Sequence, residues 1–440
     1  MVCGYWFLLT LRINLKFNDM KKIFLLQAIF LFVVVSLSYS QPVDLKEATP
    51  GSAKVSEERL KRIDNMLQQS INDGWIAGAI GFIARDGKII YNKSFGVNDL
   101  DLKTPMKTDD IFRIASQTKA ITSVAVMMLF EEGKFLLDDP ISKYILEFKN
   151  PRVLDKFNES DSSFTTLPAK REITIRDLLT HTSGIDYAGI GSRNMRAIYA
   201  KAGIPGGFGT DKMVLGDKMK ALGKLPLVHQ PGERFTYGLN VDVLGYLVEV
   251  LSGETLDQYF RKHIFEPLGM NDTYFYLPAN KYSRLVKVSS ENSDHHVVKT
   301  IQTMMNYPLL NGTYYSGGAG LSSTIKDYAV FLQMLLNKGE YNGKRLLARR
   351  TVDLMTSNQI GELNLGRDKF GLGFEITTES GQAKLGVSEG SFAWGGYFGT
   401  IYWADPKEHL VCLMFIQQSP LSHSEIQDKF RALVYQALND

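Results

Sequence analysis

Along this chain the hydrophobic period changes twice, from strand-like to helical and back. Ala77–Ala84 and Lys88–Gly96 are rich in strand-forming residues and meet at Arg85-Asp86-Gly87. An Asp-Gly pair between two such runs marks a β-hairpin. Strand-like runs return only near the end, at Phe374–Thr377, Gln382–Val387, Phe392–Trp394, Gly399–Trp403 and His409–Gln417. Between the two regions the apolar residues repeat at three and four. They predict helices at Ile175–Thr180, Val241–Leu251, Leu256–Ile264 and Lys326–Leu336. The chain therefore reads as a sheet begun near residue 77, interrupted by a helical insertion and resumed near 370. Helices predicted over Glu57–Gly74 and Ser424–Leu438 would pack on that sheet.

The 440 residues carry 50 basic and 47 acidic side chains. The whole excess lies in the first forty residues, where Arg12, Lys16, Lys21 and Lys22 face only Asp19. The remainder is neutral and has no electrostatic footprint for nucleic acid. Met20-Lys21-Lys22 precedes an apolar run, Ile23–Val35, and small residues before Gln41-Pro42. This is the pattern of an export signal cut after Ser40, with residues 1–19 as an upstream extension. The run is shorter than the roughly 20 residues a membrane helix needs, so no stable membrane span is expected after cleavage. The expected location is periplasmic or secreted. Of the two cysteines, Cys3 and Cys412, only Cys412 would remain, inside an apolar strand-like run.

Ser116 and Lys119 form Ser-x-x-Lys at the start of a helix predicted over Ser116–Gly133. A spacing of three places both on one face. The helix N-terminus adds positive potential and free backbone N–H groups at the serine. A serine alcohol needs a neighbouring base or cation to become a nucleophile, and a lysine one turn away supplies either. A cap serine beside an exposed lysine has the same spelling, so the rest of the constellation decides.

That constellation resembles the serine β-lactamase-related family, which includes class C β-lactamases, D-alanyl-D-alanine peptidases and the so-called family VIII carboxylesterases. The resemblance covers roughly residues 57–435. Its further motifs are Leu178-Leu179-Thr180-His181-Thr182-Ser183-Gly184, Pro231-Gly232-Glu233-Arg234-Phe235-Thr236-Tyr237, Pro267-Leu268-Gly269-Met270 and Gly318-Ala319-Gly320-Leu321-Ser322-Ser323. It implies an α+β, β-lactamase/transpeptidase-like fold. An antiparallel sheet flanked by the terminal helices would take residues 57–136 and 366–440. A mainly helical region would take 137–365, after a leader at 41–56. The site would lie between the two parts.

The family's Tyr-x-Asn motif matches Tyr237-Gly238-Leu239, which keeps the tyrosine and loses the amide, with Asn240 one residue late. The resemblance gives Tyr237 the role of base or proton relay beside Lys119. The Lys-Thr-Gly position holds Trp394-Gly395-Gly396, as in the esterase branch. Tyr397 would supply the second oxyanion-hole N–H and Ser116 the first. Trp394, Gly395, Gly396 and Leu239 would border the substrate. The exchanges remove a cation and an amide, so a carboxylic ester with an apolar group fits better than a β-lactam or a peptidoglycan stem.

The reading is thus a serine hydrolase that cleaves esters through an acyl-enzyme on Ser116, acts on a small ester or amide, and calls for no cofactor and no metal. Its rivals are a β-lactamase or D-alanyl-D-alanine carboxypeptidase, a non-hydrolytic penicillin-recognising protein, and acyl transfer to another acceptor. Gly386-Val387-Ser388-Glu389-Gly390 also spells a nucleophile elbow, with Asp405, His409 and His423 following. An elbow needs a helix after the serine. Here a strand follows, so a turn is expected. Asp294-His295-His296 lacks further ligands at zinc-like spacing and reads as a solvated loop. His181 reads as structural.

Overall fold

Strand β1 (Lys46–Glu47) begins a sheet that the chain completes only some 360 residues later. Helix α1 (Glu57–Asn72) follows, capped by Ser56, whose hydroxyl accepts from the Arg59 amide. Strands β2 (Gly78–Arg85) and β3 (Lys88–Asp99) form the expected hairpin. Asp86 and Gly87 both have positive φ, 53° and 70°, as a two-residue turn of right-handed twist requires. Strands β4 (Lys369–Phe370), β5 (Glu375–Ile376), β6 (Phe392–Gly395), β7 (Ile401–Asp405) and β8 (Leu410–Phe415) complete the main path, and a two-residue strand at Thr104–Pro105 pairs with β3 beside it. The order is β1-β3-β2-β8-β7-β6-β5-β4. Every pair along it is antiparallel except β1 with β3, which is parallel. The computed structural model describes residues 44–207, 212–300, 303–363 and 365–440, so the export segment and residues 41–43 of the leader lie outside the described residues.

The central strands β2, β7 and β8 are buried along their whole length. Successive side chains leave opposite faces of a strand, and here each face has its own cover. Ala79, Ile83, Cys412 and Met414 meet Leu60, Ile63 and Leu67 of α1, together with Ile426, Phe430 and Val434 of the last helix (Glu425–Tyr435). Ile80, Phe82, Val411, Leu413 and Phe415 join the larger core under the helical region. The sheet is therefore a middle layer with apolar residues on both faces. Cys412 is a buried strand residue, its thiol pushed well up by burial.

The helical region centres on α2 (Thr118–Glu131), α3 (Asn240–Ser252) and α4 (Ile325–Leu336). Helix α2 is buried nearly all round, from Thr118 to Met127 without a break. A helix without a polar face belongs inside a core, and α2 is the axis around which the region is built. No helix among the described residues is long and apolar enough to cross a membrane.

Three expectations need correction. Residues 46–55 are not a loose leader: β1 is paired, and Ala53 and Val55 are buried against α1. Gln382–Val387 is not a strand but mostly a helix, Glu379–Leu385, capped by Thr378 and ended by Gly386 at φ 76°. The helical region also carries short hairpins, Arg152–Phe157 with Phe164–Pro168 and Ser289–Glu291 with Val297–Lys299. Asp294–His296 lies at the tip of the second, exposed to solvent.

Candidate active site

Ser116 sits on a 3₁₀ turn, Ala115–Gln117, that leads into α2. Ala115 before it has φ 43°, a left-handed conformation that costs a non-glycine residue of order 1 kcal/mol or more. Packing holds it there. Ala115 is fully buried against Val288, Met305 and Phe398, and Tyr328 donates its hydroxyl proton to the Gln117 carbonyl at 2.8 Å. The strained turn leaves Ser116 partly exposed while both neighbours are buried.

Lys119, one turn on, is only 2% exposed. Its Nζ lies 3.3 Å from Ser116 Oγ and donates to the Gly318 carbonyl at 2.7 Å. The glycine pair Gly317-Gly318 makes the second contact possible. A Cβ on Gly317 would stand 2.7 Å from the Val241 carbonyl, and one on Gly318 would stand 2.4 Å from Asp242 Oδ2. Only glycine lets this loop lie between α2 and α3. Thr122 ties it down by donating to the Gly317 carbonyl at 2.7 Å. Asp242 accepts from Ser316 at 2.6 Å, and burial pushes its carboxyl up.

Tyr237 arrives from the third stretch. Lys119 Nζ stands 4.6 Å from the centre of its ring, and Trp394 Nε1 donates to its hydroxyl at 3.5 Å. The Tyr237 ring is enclosed by His181 at 4.9 Å, Trp394 at 5.5 Å and Tyr187 at 5.6 Å, centre to centre. The Lys119 amine thus lies between the Ser116 alcohol and the Tyr237 ring.

His181 is fully buried, and its imidazole is held well below its ordinary pKa, by burial first and then by the charge of Lys119. A neutral ring needs an assigned tautomer. Asn240 Nδ2 lies 2.9 Å from His181 Nδ1, and Gly238 N–H points at the same atom at 3.4 Å. Nδ1 is therefore the acceptor. Asn240 Oδ1 accepts from Ser183. The asparagine one residue late supports the Tyr237 loop from behind and does not replace the missing amide of Tyr-x-Asn.

Leu239 is a correction. It caps α3 with its side chain fully buried in the core, so it borders no substrate. A helix starting at Asn240 turns residue 239 inward. Gly396 is a correction of another kind. A Cβ there would stand 2.2 Å from Thr400 Oγ1 and 2.5 Å from the Ile114 carbonyl. Its smallness lets the β6–β7 turn close onto Ile114, two residues before Ser116, whereas Gly395 has its nearest neighbour at 3.3 Å. Trp394 and Gly395 pair with Tyr402 and Ile401 of β7, while β5 pairs only as far as Ala393. This end of β6 is a local edge. Tyr397 lies between Gly396, which meets Ile114, and Phe398, which meets Ala115.

Sequence reasoning missed Tyr187. It is buried, its ring lies against Tyr237 and 5.4 Å from Lys119 Nζ, and burial pushes its phenol well up, with Tyr237 and Asp242 adding to the shift. Its one signal was its place just after the His-Thr-Ser-Gly motif. It missed the Gly318 carbonyl as well, because backbone atoms leave no mark in a side-chain motif. The rival elbow does not assemble. His409 faces Asp86, Asp405 accepts from Tyr435, His423 stacks on Trp75, and Ser388 lies in a turn.

The chain is 33% identical over 372 residues to Protein Rv1367c of Mycobacterium tuberculosis, covering 80% of this chain and 89% of that one. It is 28% identical over 366 residues to Esterase EstB of Burkholderia gladioli, covering 78% and 86%. Among solved structures it superposes on EstCE1, described as a hydrolase with promiscuous acyltransferase activity. The TM-score is 0.74 at 26% identity, covering 86% of this chain and 99% of the other. The expected β-lactamase/transpeptidase-like fold is the one observed. The family model described as Beta-lactamase matches residues 63–436, and with the Ser116, Lys119 and Tyr237 cluster at its centre this chain belongs to that family.

Proposed function

We propose that the protein is a serine hydrolase that cleaves carboxylic esters through an acyl-enzyme on Ser116. The observation that carries this reading is the position of Lys119, 3.3 Å from the Ser116 hydroxyl and against the Tyr237 ring in a buried site. Ser116 Oγ attacks the ester carbonyl carbon. Its proton passes to the Lys119–Tyr237 pair and on to the departing alkoxide, which leaves as the alcohol. Water then gives its proton to the same pair, attacks the acyl carbon and releases the acid. The Ser116 and Tyr397 amides face the developing oxyanion. Losing one such donor costs about 10²–10³ in rate.

Ester preference rests on Trp394. Where Lys-Thr-Gly would offer an ammonium to a substrate carboxylate, an indole N–H instead donates to Tyr237. Tyr187 adds a second aromatic wall. Leu239, buried, adds nothing. The resemblance to an esterase and to a hydrolase with acyltransferase activity supports the same chemistry. The Met20–Ser40 segment supports export, and we place the reaction outside the cytoplasm.

The test is turnover of a chromogenic butyrate ester and of a cephalosporin by the native enzyme and by Ser116→Ala. The proposal expects butyrate to be the better substrate and Ser116→Ala to remove both activities. Retained ester cleavage by Ser116→Ala, or faster cephalosporin cleavage by the native enzyme, contradicts it. Repeating the ester assay with added alcohol separates hydrolysis from acyl transfer.

A further inference from the structure

Arg113 lies three residues before Ser116 and is 1% exposed. Its Nε and Nη1 donate to the Met305 and Val286 carbonyls, at 2.5 and 2.7 Å. Nη2 has no hydrogen-bond partner among the described residues, and no carboxylate among them pairs with Arg113. Burial lowers the guanidinium pKa to about 10, so it stays charged at neutral pH. Carbonyl dipoles solvate a cation without neutralising it, and an uncompensated buried charge is costly. The fold treats its other buried arginine differently: Arg85 is paired with both Glu408 and Asp440.

The guanidinium borders a cavity of about 440 Å³. Ser116, Lys119, Tyr237 and Trp394 do not line it. Leu100, Val288 and Met305 give it apolar walls, and the exposed Lys287 stands at its rim with no ion pair among the described residues. Lys299 also lines it but is neutralised by Asp101, while Asp99 caps the amides of Asp101 and Leu102. Three cations against two carboxylates leave one positive charge in excess. A singly charged anion balances that excess, and the apolar walls suit a short hydrocarbon chain.

We propose that this cavity binds a small monocarboxylate, its carboxylate on the Nη2 side of Arg113 and its alkyl chain against Leu100 and Met305. Guanidinium and carboxylate match in shape and charge. The site is separate from the acyl site. It nonetheless touches it, because Met305, which accepts from Arg113, packs on Ala115 and Phe398, the neighbours of the two oxyanion amides.

The test is calorimetric titration of Ser116→Ala protein with butyrate, butyramide and inorganic phosphate, independent of any turnover. One saturable butyrate site is expected, with butyramide and phosphate each at least tenfold weaker. Arg113→Gln should weaken butyrate at least tenfold. Because that variant removes a buried group that ties two carbonyls, Leu100→Trp, which fills the cavity from its rim, and Lys287→Ala are measured beside it. The first should abolish binding and the second should weaken it about threefold. Absence of saturable butyrate binding, equal binding of butyramide or phosphate, or butyrate binding unchanged by Leu100→Trp would overturn the proposal.

Discussion

In the proposed mechanism the chemistry turns on Lys119, which among the described residues lies against both Ser116 and the Tyr237 ring and is pinned by the Gly318 carbonyl. The same mechanism gives Tyr237 a share of the proton work. Tyr237→Phe keeps the ring contacts and removes only the hydroxyl, so kcat on a chromogenic butyrate should fall about 10²–10⁴-fold, the range of general acid–base catalysis. KM should change little. Trp394→Phe removes a 3.5 Å hydrogen bond to the same hydroxyl and should cost less than tenfold. The reverse ranking in steady-state kinetics would mean that Trp394, not Tyr237, handles the proton. Ser116, Lys119 and Tyr237 could be singled out in the sequence because each is a fixed residue type at a fixed spacing in a motif. Leu239 was misread because a motif says nothing about which way the first turn of a helix faces. Tyr187 was invisible because its contribution is a ring in the right place, reached through packing.

At the scale of elements, two close approaches assemble the site. The loop at Gly318 reaches Lys119 between α2 and α3, and the β6–β7 turn at Gly396 reaches Ile114. Gly396→Ala would drive its Cβ into a backbone carbonyl, and overpacking of this kind costs about 1–3 kcal/mol. Its Tm should fall and its kcat should drop at least tenfold as the Tyr397 amide shifts. Gly395→Ala, whose Cβ would meet the Thr400 carbonyl at 3.3 Å and so needs a shift of only a few tenths of an ångström, should lower both much less. Equal effects from the two substitutions, in melting curves and kinetics, would show that the turn does not set the oxyanion geometry. The hairpin at Asp86-Gly87 and the central strands were readable from turn chemistry and continuous apolar runs. Residues 379–385 were not, because a short polar segment between strands has no period and Thr378 and Gly386, as caps, decide it. β1 was missed because two residues carry no pattern.

Over the whole molecule, the sheet layer carries a carboxyl, Glu375 of β5, that links stability to pH near neutrality. Burial, with Asp368 nearby, pushes the Glu375 carboxyl up to about 7. The folded state therefore holds this proton more tightly than the unfolded chain does. The group's contribution is favourable below the ordinary carboxylate range and is lost as pH rises toward 7. Glu375→Gln should raise Tm at pH 8 and change it little at pH 4. A variant equally stabilised at both pH values would place the charge elsewhere. The broad architecture was legible because strands at both ends of the chain must share one sheet, whereas the second cavity was not, since nothing in a lone Arg113 announces that it lacks a counterion. In the proposed mechanism a single serine, Ser116, carries the acyl group. Treating the native protein with a fluorophosphonate and mapping the modified peptide tests it most directly. A single adduct on Ser116, lost in Lys119→Ala, is the result expected. An adduct on Ser388, or none on a protein that still cleaves esters, would contradict it.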